Sequence, residues 1–356
     1  MKLLITGIAG FLGTRLARFF TSTCSDVRIW GLDNLSRRGS ELNLPVLRHL
    51  GCRVHHGDLR LRSDLDDIPP VDWVIDCAAN PSVLAGVDGG ARALVEHNLM
   101  GTLHLLEKCR QDGSGMVLIS TSRVYSINAL RDMPLRPDAS RFVLSDREPL
   151  PRGLTEAGVG IAFSTEAPVS LYGGTKLACE IMALEYWNAF GMPLWIDRCG
   201  VLAGAGQFGK PDQGIFSYWV HMRREGRPLS YIGHGGTGLQ VRDCLHPDDL
   251  GRLVAAQLRT AADRTRSPIY NVGGGMLNSM SLRELNRWCD GRFGPATVGS
   301  QPESRTFDVP WLVMDPRAAS DRWGWKPAVG LTDVLEEIAA HAEAHPDWLS
   351  YCNPPE

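Results

Sequence analysis

The chain of 356 residues has no Cys-x-x-Cys pair among its nine cysteines, no internal repeat and no low-complexity tract. It also has no apolar run of the roughly 18 residues that a membrane-spanning helix needs. Each absence removes a class of protein. The cysteines stand singly, several inside apolar runs as buried free thiols do, which reads as a reducing cytoplasm. A formal charge of −3 offers no bulk attraction to nucleic acid. The opening MKLLITG is too short an apolar run, and meets glycine too soon, to read as a signal peptide. No metal site, no nucleic-acid partner and no membrane association are expected, and the location expected is cytoplasmic. The remainder is ordinary for a soluble enzyme: 44% apolar and 22% charged residues, in a length that suits one large α/β domain with an appended lobe, or two domains.

What the chain does have begins at once. Lys2–Thr6 is a short, branched apolar run that reads as a buried strand. It passes directly into Gly7-Ile8-Ala9-Gly10-Phe11-Leu12-Gly13 and a helical pattern from Phe11 to Phe20. Strand, glycine turn and helix make the mould of a dinucleotide site. The glycines let the backbone approach a pyrophosphate, and the helix N-terminus offers free N–H groups and a positive dipole. Gly7, Ala9, Gly10, Phe11, Leu12 and Gly13 are the expected cradle. A second strand, Val27–Leu32, ends at Asp33, where a carboxylate accepts from adenosine ribose hydroxyls and repels a 2′-phosphate, favouring NAD over NADP. Asn34, Ser36 and Arg37 follow on the cofactor side; Arg37 and Arg38 argue the other way, but Asp33 holds the strand tip. A third strand, Cys52–His56, leads to Asp58 and Leu59, with Asp58 placed to meet the adenine amino group. A fourth, Val71–Cys77, runs into Ala78, Ala79 and Asn80, small enough at the start to let a cofactor pass. The periodic run Ala91–Gln111 is helical and carries Asn98 in its apolar stripe, where a structural role reads as well as a cofactor contact.

Gly115–Ser120 is a fifth strand, and it delivers Thr121, Ser122 and Arg123 to the end of a central strand, where open α/β sheets bind ligands. Asn128–Ser170 is rich in Pro, Gly and charge, with little periodicity. So long a stretch is either functional or disordered, and a cover over a substrate is the preferred reading. In Leu171–Glu180, Tyr172 and Lys176 fall one turn apart on one helix face. An ammonium beside a phenol favours the phenolate and lowers a pKa that starts near ~10. Tyr-x-x-x-Lys is common by itself; its weight here comes from the cofactor mould ahead of it. After a sixth strand, Pro193–Val201, comes a glycine-rich loop from Ala203 to Gly214 and a helix from Ile215 to Glu225. Leu229–Ile232 and Gly238–Asp243 read as a hairpin around His234-Gly235-Gly236-Thr237. A helix near Pro247, a strand Ile269–Val272, a Ser281/Glu284 capping box and helices near Pro316–Trp323 and Leu331–His345 complete the chain. The alternation predicts an α/β fold: a Rossmann doubly wound parallel sheet over 1–201, then a smaller α/β substrate lobe over 202–356, with segments around 240–272 returning to the sheet.

Gly7/Gly10/Gly13, Asp33, Thr121 and Tyr172/Lys176 together resemble the extended short-chain dehydrogenase/reductases, in their nucleotide-sugar-modifying branch. Val241-Arg242-Asp243, Tyr270-Asn271-Val272-Gly273-Gly274, Arg305 before Asp308, and Trp323-Gly324-Trp325-Lys326-Pro327 fit the same branch, so the likeness covers essentially the whole chain. Within it, residues 33–39, 120–125, 206–208, 212–214 and 278–282, and the long insert, look nearest to the CDP-tyvelose (CDP-paratose) 2-epimerases. The resemblance implies tightly bound NAD and a nucleotide-diphosphate sugar, with a CDP-sugar favoured, inverted at carbon 2 through a transient keto-sugar; a 4-epimerase is the alternative. It implies Tyr172 as proton carrier, Lys176 on the nicotinamide ribose and Thr121 on the reacting oxygen. Ser122 and Arg123 join that set, Arg123 polarising a keto oxygen or holding an anion. Arg242 and Arg305 would grip the diphosphate, with Asn80, Gln207, Gln213 and Gln240 completing the substrate set. A homodimer or homotetramer built on the helices of 91–111 and 171–190 is implied too. Departures narrow the chemistry. Sugar dehydratases of the branch carry an Asp–Glu pair after the threonine, and decarboxylases a Glu where Arg123 stands; this chain has Ser122 and Arg123. Arg198-Cys199-Gly200-Val201 lacks the Asn that many 4-epimerases place three residues after the Arg.

Overall fold

Leu3, Leu4 and Ile5 have no exposed surface, as a run without a polar face requires, and the strand they form (β1, Lys2–Thr6) is the hinge of a seven-stranded sheet. The computed structural model describes residues 1–87, 89–146, 149–260 and 263–352. The other strands of this sheet are β2 (Arg28–Asp33), β3 (Arg53–His56), β4 (Trp73–Asp76), β5 (Gly115–Thr121), β6 (Leu194–Cys199) and β7 (Ile269–Val272). They lie in the order β7-β6-β5-β4-β1-β2-β3. The pairs β1–β2, β2–β3, β1–β4 and β4–β5 are all parallel, with Leu3 between Ile29 and Trp73. After β3 the chain crosses back to the far side of β1. Such a reversal opens a crevice at the carboxyl ends of the central strands, and the glycine turn sits there.

The flanking helices are α1 (Phe11–Thr23), α2 (91–112, made of Ala91–Val95, Glu96–Met100 and Gly101–Asp112), α3 (Ser170–Phe190) and α4 (Pro247–Arg259). Leu105, Leu106 and Cys109 of α2 and Cys179 and Ala183 of α3 share one core with Leu4, Val74, Leu118 and Ile196 of the sheet. α1 packs against α4, where a side chain at Gly251 would strike the Phe19 ring at 2.7 Å. The helix expected over 91–111 is interrupted: Glu96–Met100 is a π turn, and Asn98 is buried in it. An extra residue in a helical turn re-aims a side chain, and such turns recur at functional sites.

Compactness does not follow a single cut after residue 201. One unit comprises Met1–Thr121, Leu171–Arg198 and Pro247–Tyr270; the second comprises Ser122–Ser170, Cys199–His246 and Asn271–Glu356. In the second unit, Val241–Leu245 is central: it pairs with Val201–Leu202 and Trp311–Leu312 in parallel and with Ser279–Ser281 antiparallel. Trp219, Leu285 and Ile338 join the helices Ile215–Arg224, Leu282–Phe293 and Leu331–Ala344 in one core. The capping box at Ser281 and Glu284 is present. The expected hairpin is not. Gly233, His234, Gly235, Gly236 and Gly238 all take positive φ, and this turn carries the chain off the hairpin path. Ser230–Ile232 instead finds its ladder on Gly299–Gln301. The 128–170 insert contains two small hairpins, Leu135–Pro137 with Phe142–Leu144, and Leu154–Thr155 with Gly158–Val159.

One buried histidine adds an acid-sensitive contribution to the stability of this unit. His221, 1% exposed, lies beside His341 at a ring distance of 5.6 Å, and its Nε2 has no hydrogen-bond partner among the described residues. Burial first, then His341, Arg224 and His345, push its pKa down to about 3. The folded state keeps the ring neutral, whereas the unfolded chain takes a proton near ~6.5. Its contribution is therefore intact above that pH and is lost as pH falls toward 3, by about 2 kcal/mol between pH 6.5 and 5. Burial raises Asp197 and Asp243 to about 7, and their effect over the same range has the opposite sign. The test is thus a difference: thermal melts of wild type and His221→Gln should converge, or cross, as pH drops from 7 to 5. A constant gap would show that His221 does not titrate this way.

Candidate active site

In the first unit, Gly7 (φ +59) turns the chain at the end of β1, and Gly10 N–H donates to Gly7 O at 3.0 Å. A β-carbon at Gly13 would lie 2.3 Å from Gly7 O and 2.6 Å from Ile8 Cα, so no side chain fits the cradle. α1 opens on Gly10 with no side-chain cap and no acidic residue in its first turn. A 13-residue helix with uncapped N–H groups and no competing carboxylate suits a diphosphate. Asp33 Oδ2 accepts from Ala9 N–H at 2.9 Å and Oδ1 from Leu35 N–H at 2.8 Å, tying the acidic strand tip to the glycine turn. Burial raises the Asp33 pKa against the pull of these N–H groups. Ala78 N–H donates to Thr6 Oγ1 at 3.2 Å, and a β-carbon on Gly7 would meet Ala78 Cα at 3.0 Å, so β1 and β4 end in close contact. These features fit the dinucleotide expected.

Other expected cofactor residues are engaged with the protein. Asp58 accepts two bonds from the Arg60 side chain, at 3.0 and 2.7 Å, and one from Asn34 Nδ2 at 3.0 Å. Arg60 holds its carboxyl well below the usual range. Asn34 Oδ1 accepts from Ser36 N–H at 3.0 Å, which shapes the turn before Arg37. Leu59 is a core residue whose carbonyl meets His104 Nδ1 at 2.7 Å. Asn98 accepts from Asn80 N–H at 2.9 Å and donates to Thr175 Oγ1 at 3.0 Å. It therefore pins the Ala79-Asn80 loop to α3, one residue before Lys176. Phe11 and Leu12 are half-buried at the start of α1.

Thr121 ends β5; Tyr172 and Lys176 lie in the first turns of α3, 7% and 2% exposed. Burial disfavours the Lys176 ammonium, but its electrostatic interactions with Cys179, Asp76, Tyr172 and Glu180 outweigh that and raise its pKa. Asp76 is itself held by the Thr6 and Thr102 hydroxyls at 2.7 and 3.0 Å. One turn beyond Lys176, Glu180 takes Arg198 Nη2 at 2.6 Å and the Ser120 hydroxyl. Ser120 directly precedes Thr121.

The second unit holds the arginines. Arg242 donates through Nη2 to Asp308 Oδ1 at 3.2 Å and to Val309 O at 2.8 Å; its burial lowers its pKa. Arg123 Nη1 reaches Phe307 O at 3.3 Å, so Arg123 and Arg242 meet one segment. Ser122, buried, begins the short turn that carries Arg123. Arg305 is exposed and bonds Pro211 O at 2.8 Å, joining it to the loop of Gln207 and Gln213. Gln207 donates to Leu202 O at 2.7 Å and Gln240 to Ile232 O at 3.1 Å; each keeps a buried Oε1 without a partner among the described residues. Gln213 exchanges two backbone bonds with Lys210. Two residues that sequence reading passed over, Arg131 and His234, line an open pocket of about 560 Å³ with Arg305. The signal for His234 was a lone bulky residue in a run of glycines. Among the described residues, no cluster of metal-ligating side chains occurs, and no helix is long and apolar enough to cross a membrane.

A parallel sheet reversing at a glycine turn, with a tyrosine and a lysine one turn apart beside it, defines an α/β enzyme of the dinucleotide-binding class. The chain belongs to the NAD-dependent epimerase/dehydratase family, whose pattern it matches over residues 3–273. It is 31% identical to a CDP-paratose 2-epimerase of Salmonella typhi, across 98% of this chain and 99% of that one. It is 24% identical to a UDP-glucuronate 4-epimerase of Thermodesulfobacterium geofontis, across 94% and 93%. Among solved structures it is similar to the UDP-glucuronic acid 4-epimerase of Bacillus cereus in complex with UDP-glucuronic acid and NAD, with a TM-score of 0.74, 25% identity and coverage of 97% and 99%.

Proposed function

We propose that this enzyme epimerises a nucleotide-diphosphate hexose at carbon 2, with a CDP-sugar as the favoured substrate. The observation that carries the reading is the proton inventory: Tyr172 and Lys176 lie buried on α3, while Ser122 and Arg123 follow Thr121 where water loss would need an acid and a base. The full-length likeness to a 2-epimerase supports the carbon and the base.

Tyr172, as phenolate, takes the proton of the sugar hydroxyl, and Thr121 bonds the same oxygen. Lys176 keeps the phenolate favoured and holds the nicotinamide ribose. NAD, when bound, would supply both the acceptor and the donor of the hydride. Arg242 and Arg305 keep the diphosphate bound while the keto-sugar presents its other face. Tyr172 then returns the proton, so proton and hydride both go back and no net oxidation results. Asp33 selects NAD, and the Gly7–Gly13 turn takes its diphosphate. Val95 and Met100 on α2 and Leu171 and Ile181 on α3 are exposed, which supports pairing of two or four chains through these helices.

Incubation of the purified enzyme with CDP-, UDP-, GDP- and dTDP-hexoses, followed by NMR in deuterated water, tests this. Inversion at carbon 2 of a CDP-sugar is expected, with no deuterium at that carbon and no NADH accumulation, from a particle of two or four chains by light scattering. Stoichiometric NADH would sink epimerisation, and inversion at carbon 4 would replace the position.

A further inference from the structure

Four guanidiniums converge on the segment 304–310, whose one carboxylate is Asp308. Arg242 bonds Asp308 Oδ1, Arg123 bonds Phe307 O, Arg305 belongs to the segment, and Arg131 Nε donates to Asp308 O at 3.0 Å. Arg131 is exposed at the end of the short helix Ile127–Arg131, at the start of the long insert. It has no other partner among the described residues, so both its Nη atoms remain for a ligand. Arg305 likewise uses only Nη1, on Pro211 O. Such a surplus of positive charge around one carboxylate is a site for an anion.

His234 stands on the opposite kind of footing. Its backbone is left-handed (φ +49), which a non-glycine residue adopts only when its surroundings over-determine it. Gly233 and Gly235 allow the turn, and Thr237 Oγ1 locks it by donating to His234 O at 3.0 Å. The ring lies edge-on to Phe142 at 6.1 Å, and Nε2 is 3.4 Å from Asp308 Oδ2. Phe142 is itself fixed. Its N–H donates to Leu239 O at 2.9 Å, and the neighbouring Arg141 forks onto Glu284 at 2.8 and 2.5 Å. The insert hairpin is thus fastened to the helix cap at 281–284 and stands as a fixed wall behind His234.

The geometry points to Arg131 and His234 as binding residues for the nucleoside diphosphate portion of the substrate: Arg131 takes phosphoryl oxygens together with Arg305, and His234, backed by Phe142, borders the nucleoside and helps select it. This rests on the nucleotide-sugar reading above. The pocket's volume of about 560 Å³ suits a ligand of that size, and the Ser304 and Thr306 hydroxyls suit its polar groups.

Calorimetric titration of the NAD-loaded enzyme with CDP, UDP, GDP, dTDP and inorganic pyrophosphate separates the possibilities. Arg131→Gln should weaken every nucleoside diphosphate, and pyrophosphate, by about tenfold or more. His234→Asn, which tolerates the left-handed backbone, should change the ranking among bases and leave pyrophosphate unchanged. Wild-type affinities in both variants, with wild type binding nucleoside diphosphates, would overturn the assignment and leave the nucleotide-sugar reading standing. Absence of nucleoside diphosphate binding in wild type would overturn both. A uniform loss in His234→Asn would overturn its part in base selection.

Discussion

Tyr172→Phe should lower turnover about 10³-fold while the protein stays folded and retains its NAD. The phenyl ring fills the same buried site, 7% exposed, so packing is kept and only the hydroxyl is lost. Without it the sugar hydroxyl has no base. Lys176 cannot substitute, because the neighbouring carboxylates of Asp76 and Glu180, which the variant keeps, favour its ammonium, a donor with no lone pair. Thr121 offers a hydroxyl that bonds oxygen but is far too weak a base to hold the proton. Ser122 is no better, and Arg123 is permanently charged. The checks are the rate of inversion on the best sugar of the panel, and bound NAD measured after denaturation. An NAD-loaded Tyr172→Phe protein with wild-type turnover would remove Tyr172 from the chemistry and leave a dinucleotide-binding protein with another function.

Much of the first unit was legible in the sequence because its signals are local. Gly7, Gly10 and Gly13 stand close together in one strand–helix unit, and for Gly10 and Gly13 the reason for being glycine lies within seven residues: a side chain on Gly13 would collide with Gly7 O. Asp33 and the Tyr172/Lys176 spacing are equally local. What stayed hidden depends on partners far along the chain. Asn98 in the π turn bonds Asn80 and Thr175, neither of them on that helix. The supposed hairpin around His234 failed because period-2 apolar runs announce strands without naming their partners, and Gly299–Gln301 carries no pattern that would attract Ser230–Ile232. The insert reads as loop because its strands are only two or three residues long, and its first hairpin is held by Arg141 on Glu284 across 143 positions. Arg131 and His234 belong to the same class: each acquires meaning only when Asp308 is brought beside it.

Glu180→Ala should destabilise the protein by about 3–5 kcal/mol, a cost far above that of an ordinary surface change. Glu180 is 1% exposed and Arg198 5%, and three contacts between them measure 3.1, 3.0 and 2.6 Å. Truncating the acid takes the carboxylate away from a buried guanidinium and leaves the buried Ser120 hydroxyl without its acceptor. Charge attraction alone does not justify the pair, since burying both ions costs about what their attraction returns. Replacing both, Glu180→Met with Arg198→Met, should therefore recover most of the loss, short by roughly 1 kcal/mol for Ser120. Urea denaturation of wild type, Glu180→Met, Arg198→Met and the double variant measures this coupling. Turnover should not recover with stability. Glu180 on α3 grips Ser120 on β5 and Arg198 on β6, so the carboxylate sets the distance between the helix of Tyr172 and Lys176 and the strand end of Thr121. A misplacement of about 1 Å between such groups costs about 10²-fold in rate. A double variant as stable as wild type yet tens to hundreds of times slower would identify the pair as the fixture that aligns those residues. A double variant restored in both would reduce it to a strut.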